Sequence, residues 1–228
     1  MKTDLLSAVS VNGMLTAARG ASSRRLAEDL ATPAEAMAAL YEIRRRYAAV
    51  LVGTGTVLAD DPTLTSHGGA PVRATLDRAG RIPPGAHFLD GSVRTLIGVC
   101  RTTPRPYLDL LAQRGIEAVE ASAADDGGRI DPGRFLAELA ARGVAPVVTE
   151  GGGTLARALL AAGLLERLHL LVIPAVLDSA SVNLFEDGAG ALVRLALEGE
   201  RRIGDYLMLT YRVLYGNSTV SGWRVSTR

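Results

Sequence analysis

The chain has one cysteine, three histidines and one lysine in 228 residues. With Cys100 alone, neither an internal disulfide nor a cysteine-rich zinc site can form. His67, His87 and His169 are scattered, none at metal-ligand spacing from a neighbour, so no metal is expected. Neither sign of charge is in excess. The 25 basic and 24 acidic residues leave a net +1, which lacks the basic footprint of a nucleic-acid binder. No apolar run reaches the roughly 18–20 residues of a membrane span, and Asp4 and Asn12 interrupt what would have to be the apolar region of a signal peptide. A cytoplasmic protein without nucleic-acid or membrane partners is expected. Lys2 is the only lysine, and the bias towards Arg, Ala, Gly and Leu carries no mechanistic weight.

What is present is an ordinary globular balance, 48% hydrophobic and 21% charged, in a chain long enough to bury a sizeable core. Leu5 to Val11 reads as a short strand, followed by a loop from Asn12 to Ser23. Thr32 and Pro33 open a helix running through Ala36, Leu40, Ile43 and Tyr47, with Arg44, Arg45 and Arg46 on its exposed face. The runs AAVLVG (48–53), TLIGVC (95–100) and VAPVVT (144–149) have the continuous apolar character of strands buried on both faces. Helices over 106–114 and 131–142 lie between them, the second capped by Asp131. This alternation predicts an α/β fold with a central, mostly parallel sheet and helices on both faces. LHLLVIP (168–174) and YLMLTYRVLY (206–215) predict antiparallel additions at one edge. A single domain over 1–215 is expected, followed by a flexible tail over 216–228.

Ligands of open α/β sheets bind beyond the carboxyl ends of the strands, so the residues following the buried runs carry the functional interest. After 144–149 comes EGGGTLARALL; after 48–53 comes TGTVLADDPTLTSHGG. Three consecutive glycines before a helix leave the amides of Gly152, Gly153, Thr154 and Leu155 able to point at a phosphate. The same glycines also suit a tight turn with no ligand. Neither stretch completes the dinucleotide fingerprint G-x-G-x-x-G. Glu150 has two readings: acceptor for amino or ring N–H groups of a substrate, or cap for the glycine amides. Asp60 and Asp61 before Pro62 read as a turn, and His67 as a loop residue rather than a general base.

Laid side by side, SVNG (10–13), GASS (20–23), YAAVLVGTGTVLADDPTLT (47–65), VRATLD (72–77) and VVTEGGGTLARALLAAGLLERLHLLVIPAVL (147–177) resemble the reductase domain of riboflavin biosynthesis. These RibD-type pyrimidine reductases have a dihydrofolate reductase-like, three-layer fold. The resemblance covers most of residues 5–215. It implies an NADPH-dependent oxidoreductase, acting as a homodimer, that passes hydride to the anomeric carbon of a ribosylaminopyrimidine phosphate, a small-molecule substrate. Carried over by position, Thr56, Asp60 and the segment Gly152, Gly153, Thr154, Leu155, Ala156, Arg157 and Ala158 would contact NADPH, with the Val9 backbone against the nicotinamide. Ser22, Arg44, Leu64 and Glu150 would face the substrate, Glu150 on the pyrimidine and Arg44 near the phosphate. Hydride transfer is the cofactor's chemistry, so no general base is required and Glu150 acts by positioning.

Several positions depart from the family pattern. The family has SLDG where this chain has Ser10-Val11-Asn12-Gly13, a lysine at Leu6, a tryptophan at Arg24 and a phosphate-binding arginine where His67 follows Leu64-Thr65-Ser66. Losing that charge-assisted contact costs about 1.5–3 kcal/mol unless Arg24 replaces it. Arg78 stands where the family often has a serine near the 2′-phosphate, and either meets that group or is an exposed turn residue. The changes keep two alternatives in view: a tailoring reductase of specialised metabolism acting on a different C=N or C=O bond, and a non-catalytic ligand-binding homologue.

Overall fold

The computed structural model describes the chain except Arg19, residues 65–70, 125–127, 179–180, 186–191 and 217–228, and the side chain of Arg24. The expected tail beyond Gly216 thus lies outside the described residues. The order of elements is β1 (Thr3–Ser10), β2 (Met14–Thr16), α1 (Ser23–Asp29), α2 (Ala34–Arg44), β3 (Ala49–Gly53), α3 (Thr54–Asp60), β4 (Val72–Leu76), a 3-10 turn (His87–Leu89), β5 (Thr95–Val99), α4 (Arg105–Gln113) and β6 (Glu117–Glu120). It continues with α5 (Pro132–Ala141), β7 (Val147–Glu150), α6 (Gly153–Ala161), β8 (Leu165–Ile173), β9 (Val182–Asn183), β10 (Arg194–Ile203) and β11 (Tyr206–Leu214).

Nine strands form one sheet in the order β10-β11-β8-β1-β7-β3-β4-β5-β6, and β2 with β9 forms a separate ribbon. From β8 to β6 every neighbour is parallel; β11 and β10 are antiparallel additions. The apolar runs are continuous because the central strands are covered on both sides. On one face Leu6, Val50, Val52 and Val148 pack with Ala36, Ala39 and Ile43 of α2, together with Tyr107 and Leu111 of α4. On the other, Leu5, Leu51, Ala74 and Val147 pack with Phe135, Leu136 and Leu139 of α5 and with Ala156 and Leu159 of α6. Burying each large side chain contributes about 1.5–3 kcal/mol, and the result is the expected α/β arrangement with helices on both faces of the sheet. No helix of the described residues is long and apolar enough to cross a membrane.

Local chemistry explains where the elements begin. Asp131 caps α5 as expected, its Oδ1 accepting from Gly133 N (2.7 Å) and Arg134 N (3.2 Å). For α2 the cap position falls on Pro33 rather than Thr32, and the helix stops at Arg44, so Tyr47 leaves the helix instead of continuing it. The edge also differs from expectation: β8 runs parallel to β1, and antiparallel pairing starts only at β11. Crossing back through α6 gives β8 the direction of β7, as a strand-helix-strand unit does. Several elements have no counterpart in the sequence reading, among them α1, β6, α3 and β10. The stretch after Gly53 is the short helix α3 rather than a loop, and RLALEGERRI is the edge strand β10.

Candidate functional site

The two glycine-bearing turns lie side by side, because β7 and β3 are parallel neighbours with Thr149 opposite Leu51. After Glu150 the backbone passes through Gly151 (φ +67°) and Gly152 (φ +82°) before α6 begins at Gly153. A Cβ added at either glycine would stand 3.6 Å from Thr56 Oγ1 of α3. Positive φ excludes most side chains, and an added one would fill the notch between the turns. The hydrogen-bond ladder of α6 starts with Ala156 N donating to Gly152 O at 3.0 Å. The amides before it face beyond the helix end, where the helix dipole favours an anion. Along this helix Leu155 and Ala156 are buried, whereas Thr154, Arg157 and Ala158 are exposed. The notch, the amides and the dipole fit the pyrophosphate of a dinucleotide.

Glu150 bonds to a residue of α2 rather than to the glycine amides at the start of α6. Its carboxylate meets Arg44, the last residue of α2, in a two-pronged pair: Nε to Oε1 at 2.6 Å and Nη2 to Oε2 at 2.5 Å. The two side chains are 13% and 14% exposed, so this is not a loose surface contact. Burial alone would lower the Arg44 guanidinium. The charge and hydrogen bonds of Glu150 outweigh that, and with Tyr41 they hold it above the ordinary arginine value. Arg44 is therefore turned inwards, unlike the exposed Arg45 and Arg46 beside it. Each Glu150 oxygen keeps a second acceptor direction, now fixed in orientation by the fork.

The other expected residues distribute around this centre. Val9 is 4% exposed, near the carboxyl end of β1. The Ser22 hydroxyl caps α1 by accepting from Arg25 N at 3.1 Å. Next to it, Ser23 Oγ donates to Asp60 Oδ2 at 3.0 Å, while Asp60 Oδ1 is buried without a partner. Leu64 is 7% exposed and has φ +51°. For a bulky side chain that conformation is strained, as residues at ligand sites tend to be. Arg78 follows β4 and donates weakly from Nη1 to Gly128 O at 3.4 Å. His67 and the Arg24 side chain lie outside the described residues. Among the described residues no group of three or more His, Cys, Asp or Glu could hold a metal ion.

Sequence reasoning missed a buried polar cluster that fixes the end of α2. Tyr47 OH donates to Asp4 Oδ2 (2.5 Å) and lies 3.2 Å from His169 Nε2, while His169 Nδ1 is 3.0 Å from Thr210 Oγ1. Arg167 N adds a bond to Asp4 Oδ1 at 3.0 Å. Burial pushes the Asp4 carboxyl up, but the hydrogen bonds of His169 and Tyr47 and the charges of His169 and Arg167 prevail and hold it below its ordinary value. Tyr47 stands three positions after Arg44, so the end of α2 and the turn leaving it serve both Glu150 and Asp4. That spacing was the available signal.

The fold is an open α/β sheet with glycine-bearing turns at its carboxyl edge, where ligands of such sheets bind. The chain matches the RibD C-terminal domain over residues 4–209. It belongs to the RibD C-terminal domain family. It is 31% identical over 220 residues to the 2,5-diamino-6-ribosylamino-4(3H)-pyrimidinone 5′-phosphate reductase of Methanothermobacter thermautotrophicus, covering 92% of this chain and 96% of that one. The reductase of the same name from Aquifex aeolicus is 27% identical over 227 residues, 97% of this chain and 95% of its own. Among solved structures, a pyrimidine reductase-like protein of Corynebacterium diphtheriae superposes with a TM-score of 0.78 at 19% identity, covering 94% of this chain and 92% of that one.

Proposed function

We propose that the protein is an NADPH-dependent oxidoreductase of riboflavin biosynthesis, reducing 2,5-diamino-6-ribosylamino-4(3H)-pyrimidinone 5′-phosphate or its deaminated counterpart, 5-amino-6-(5-phosphoribosylamino)uracil. The observation that carries this reading is the Glu150–Gly151–Gly152 turn, which sets a rigid carboxylate beside an anion-binding helix end. In this reading the first turn of α6, Thr56 and Asp60 hold the dinucleotide, and Arg78 meets the 2′-phosphate. Arg44 orients Glu150, whose outward oxygen directions accept from the amino and ring N–H groups of the pyrimidine. Ser22 and Leu64 line the substrate side, Arg24 and His67 being the candidates for its phosphate. The nicotinamide, when bound, supplies the hydride that opens the ribosyl ring to a ribityl chain. The protein holds donor and acceptor carbons in register, which can account for several kcal/mol of barrier lowering.

One observation favours the second reading, a reductase of another C=N or C=O substrate. Leu6 is buried and stands directly opposite Glu150 on the neighbouring strand, so where the family has a lysine this chain offers only an apolar wall. The deciding experiment is NADPH consumption with the pyrimidine offered in phosphorylated and dephosphorylated form, with product mass checked. Turnover of the phosphorylated compound supports the riboflavin assignment; tight NADPH binding with no turnover of either supports the second reading.

A homodimer belongs to the same proposal. In its favour, Leu195, Leu197 and Leu207 are 41%, 53% and 42% exposed on paired strands β10 and β11. Leu197→Glu would shift the mass in solution from dimer to monomer; a monomeric wild-type protein would end this part of the proposal.

A further inference from the structure

Two polar side chains leave one short turn and enter the sheet at neighbouring strands. The turn follows α2 and is closed by Arg46 N donating to Ile43 O (3.0 Å) and Tyr47 N donating to Arg44 O (3.1 Å). Its far end is tied to the residue before β7, Ala48 N donating to Pro146 O at 2.8 Å. Arg45 and Arg46, in the middle of the turn, are exposed. The inward anchors are Arg44 on Glu150 and Tyr47 on Asp4. Glu150 pairs in register with Leu6, and Val148 with Asp4. Both carboxylates therefore project from the same face of the sheet, two residues apart along the strands.

The Tyr47 anchor is built from groups withdrawn from water. Its hydroxyl donates to Asp4 Oδ2 and stands 3.2 Å from His169 Nε2, while Thr210 meets the other ring nitrogen and Arg167 N the other Asp4 oxygen. Burial, then the bond to Asp4 and its charge, push the Tyr47 phenol far above its ordinary value, so it stays a donor throughout the neutral range. Leu6 stands opposite Glu150 on one side and His169 on the other. An apolar side chain thus separates the two polar groups, and the covalent turn from Arg44 to Tyr47 connects them. A guanidinium fork is directional: both prongs form only when it lies in the plane of the carboxylate. A small displacement of the turn therefore costs Arg44 one of its bonds.

We propose that Tyr47 is a positioning residue: its bond to Asp4, acting through the turn it shares with Arg44, holds the guanidinium in the plane of the Glu150 carboxylate and so sets the direction in which Glu150 meets its ligand. The identity of that ligand, the pyrimidine, rests on the reductase reading; the placement of Arg44 does not. Orientation of a bound substrate is sensitive to such a change, since a displacement of about 1 Å caused by a remote residue can lower turnover about a hundredfold. Tyr47→Phe removes the hydroxyl and keeps the ring that packs against the core.

The test compares wild type, Tyr47→Phe, Glu150→Gln and the double variant, with Gly98→Ala as a control destabilised at a distance, between β5 and α5. The readouts are the Arg44 Nε–H resonance in isotope-labelled protein, assigned by its loss in Arg44→Lys, and kcat/KM for the phosphorylated pyrimidine. Tyr47→Phe should move the resonance towards its position in Glu150→Gln. It should also lower kcat/KM about tenfold and leave the Kd for NADPH within about twofold of wild type. In the Glu150→Gln background the same change should lower kcat/KM by less than about twofold, because the pair it acts through is already broken. A role in stability alone would make Tyr47→Phe behave as Gly98→Ala, with the wild-type resonance and kcat/KM in the folded protein. That result, or equal fold losses in the two backgrounds, overturns the proposal. His169→Gln disturbs only the second contact of the hydroxyl. It should move both readouts in the same direction, kcat/KM by about two- to threefold, and it decides the question if Tyr47→Phe does not fold. If wild type reduces neither pyrimidine, the substrate reading fails by itself, and the Arg44 resonance still decides on Tyr47.

Discussion

Arg44 and Glu150, 106 residues apart in the chain, meet fork to fork at 2.6 and 2.5 Å at the mouth of the cleft. The pair is largely withdrawn from water, so removing one partner destabilises more than it would on the surface. Replacing Glu150 by Gln leaves Arg44 against a neutral amide that accepts through only one atom. The expected result is a loss of about 1–3 kcal/mol in urea unfolding. In steady-state kinetics kcat/KM for the pyrimidine should fall at least about tenfold. NADPH affinity should change little, because the cofactor phosphates are assigned to α6.

Gly152 tests the cofactor side. With φ at +82°, an alanine there is strained by about 1–3 kcal/mol, and its methyl group enters the notch facing Thr56. Isothermal titration of Gly152→Ala should show NADPH binding weakened about tenfold or more. An unchanged dissociation constant in a folded variant would remove the notch from the cofactor site.

Much of this architecture was legible in the sequence, and the reason is physical. Strands β3, β5 and β7 are buried on both faces, which writes continuous apolar runs that need no partner to be recognised. Strand β10 is exposed along nearly its whole length, so Glu198, Glu200, Arg201 and Arg202 replace the expected alternation and hide it. Helix α3 is only seven residues long and starts Thr-Gly-Thr, too short and too glycine-rich for a periodic signal. At the site, Glu150 and its glycines stood out by position after a strand. Arg44 stood out only through the family resemblance, as a residue near the phosphate; by periodicity it was one of three arginines on an exposed face, and only tertiary packing turns it towards Glu150. The bonds between the Asn12 side chain and the backbone of Leu177 were equally hidden, because a backbone partner carries no sequence mark.

The Asp4 cluster makes a prediction in pH. Asp4 has a folded value below its ordinary 3.8, so its contribution is fully present above that value and is lost as pH falls through the lower, folded one. Asp4→Asn should cost about 1–3 kcal/mol at pH 7. The gap between wild type and variant in urea midpoints should narrow progressively below pH 3.8. A constant gap down to strongly acid pH would show that folding does not hold the Asp4 carboxyl below its ordinary value.

Gly98 predicts a stability effect with no functional one. A Cβ on this strand residue would sit 2.6 Å from Leu76 Cδ2 and 2.9 Å from Phe135 Cδ2. Gly98→Ala overpacks the contact between β5 and α5 and should destabilise by about 1–3 kcal/mol, read as a lowered Tm. NADPH affinity of the folded protein should stay at the wild-type value.

The position of β7 constrains how the chain is made. This four-residue strand fills the slot between β1 and β3, yet it is synthesised after β3, β4, β5 and β6. Thr3 Oγ1 donates to Val147 O at 2.8 Å across 144 residues of sequence. A nascent chain that has emerged only as far as α5 leaves one edge of β3 unpaired and β1 without either of its neighbours, β7 and β8, the kind of edge that recruits other chains. Closure waits for residues 147–150, and the Glu150–Gly151–Gly152 turn arrives with them. Joining β1 to β3 and bringing in the glycine turn thus depend on the same short stretch of chain, and a fragment ending before Val147 would expose aggregation-prone edges while lacking that turn.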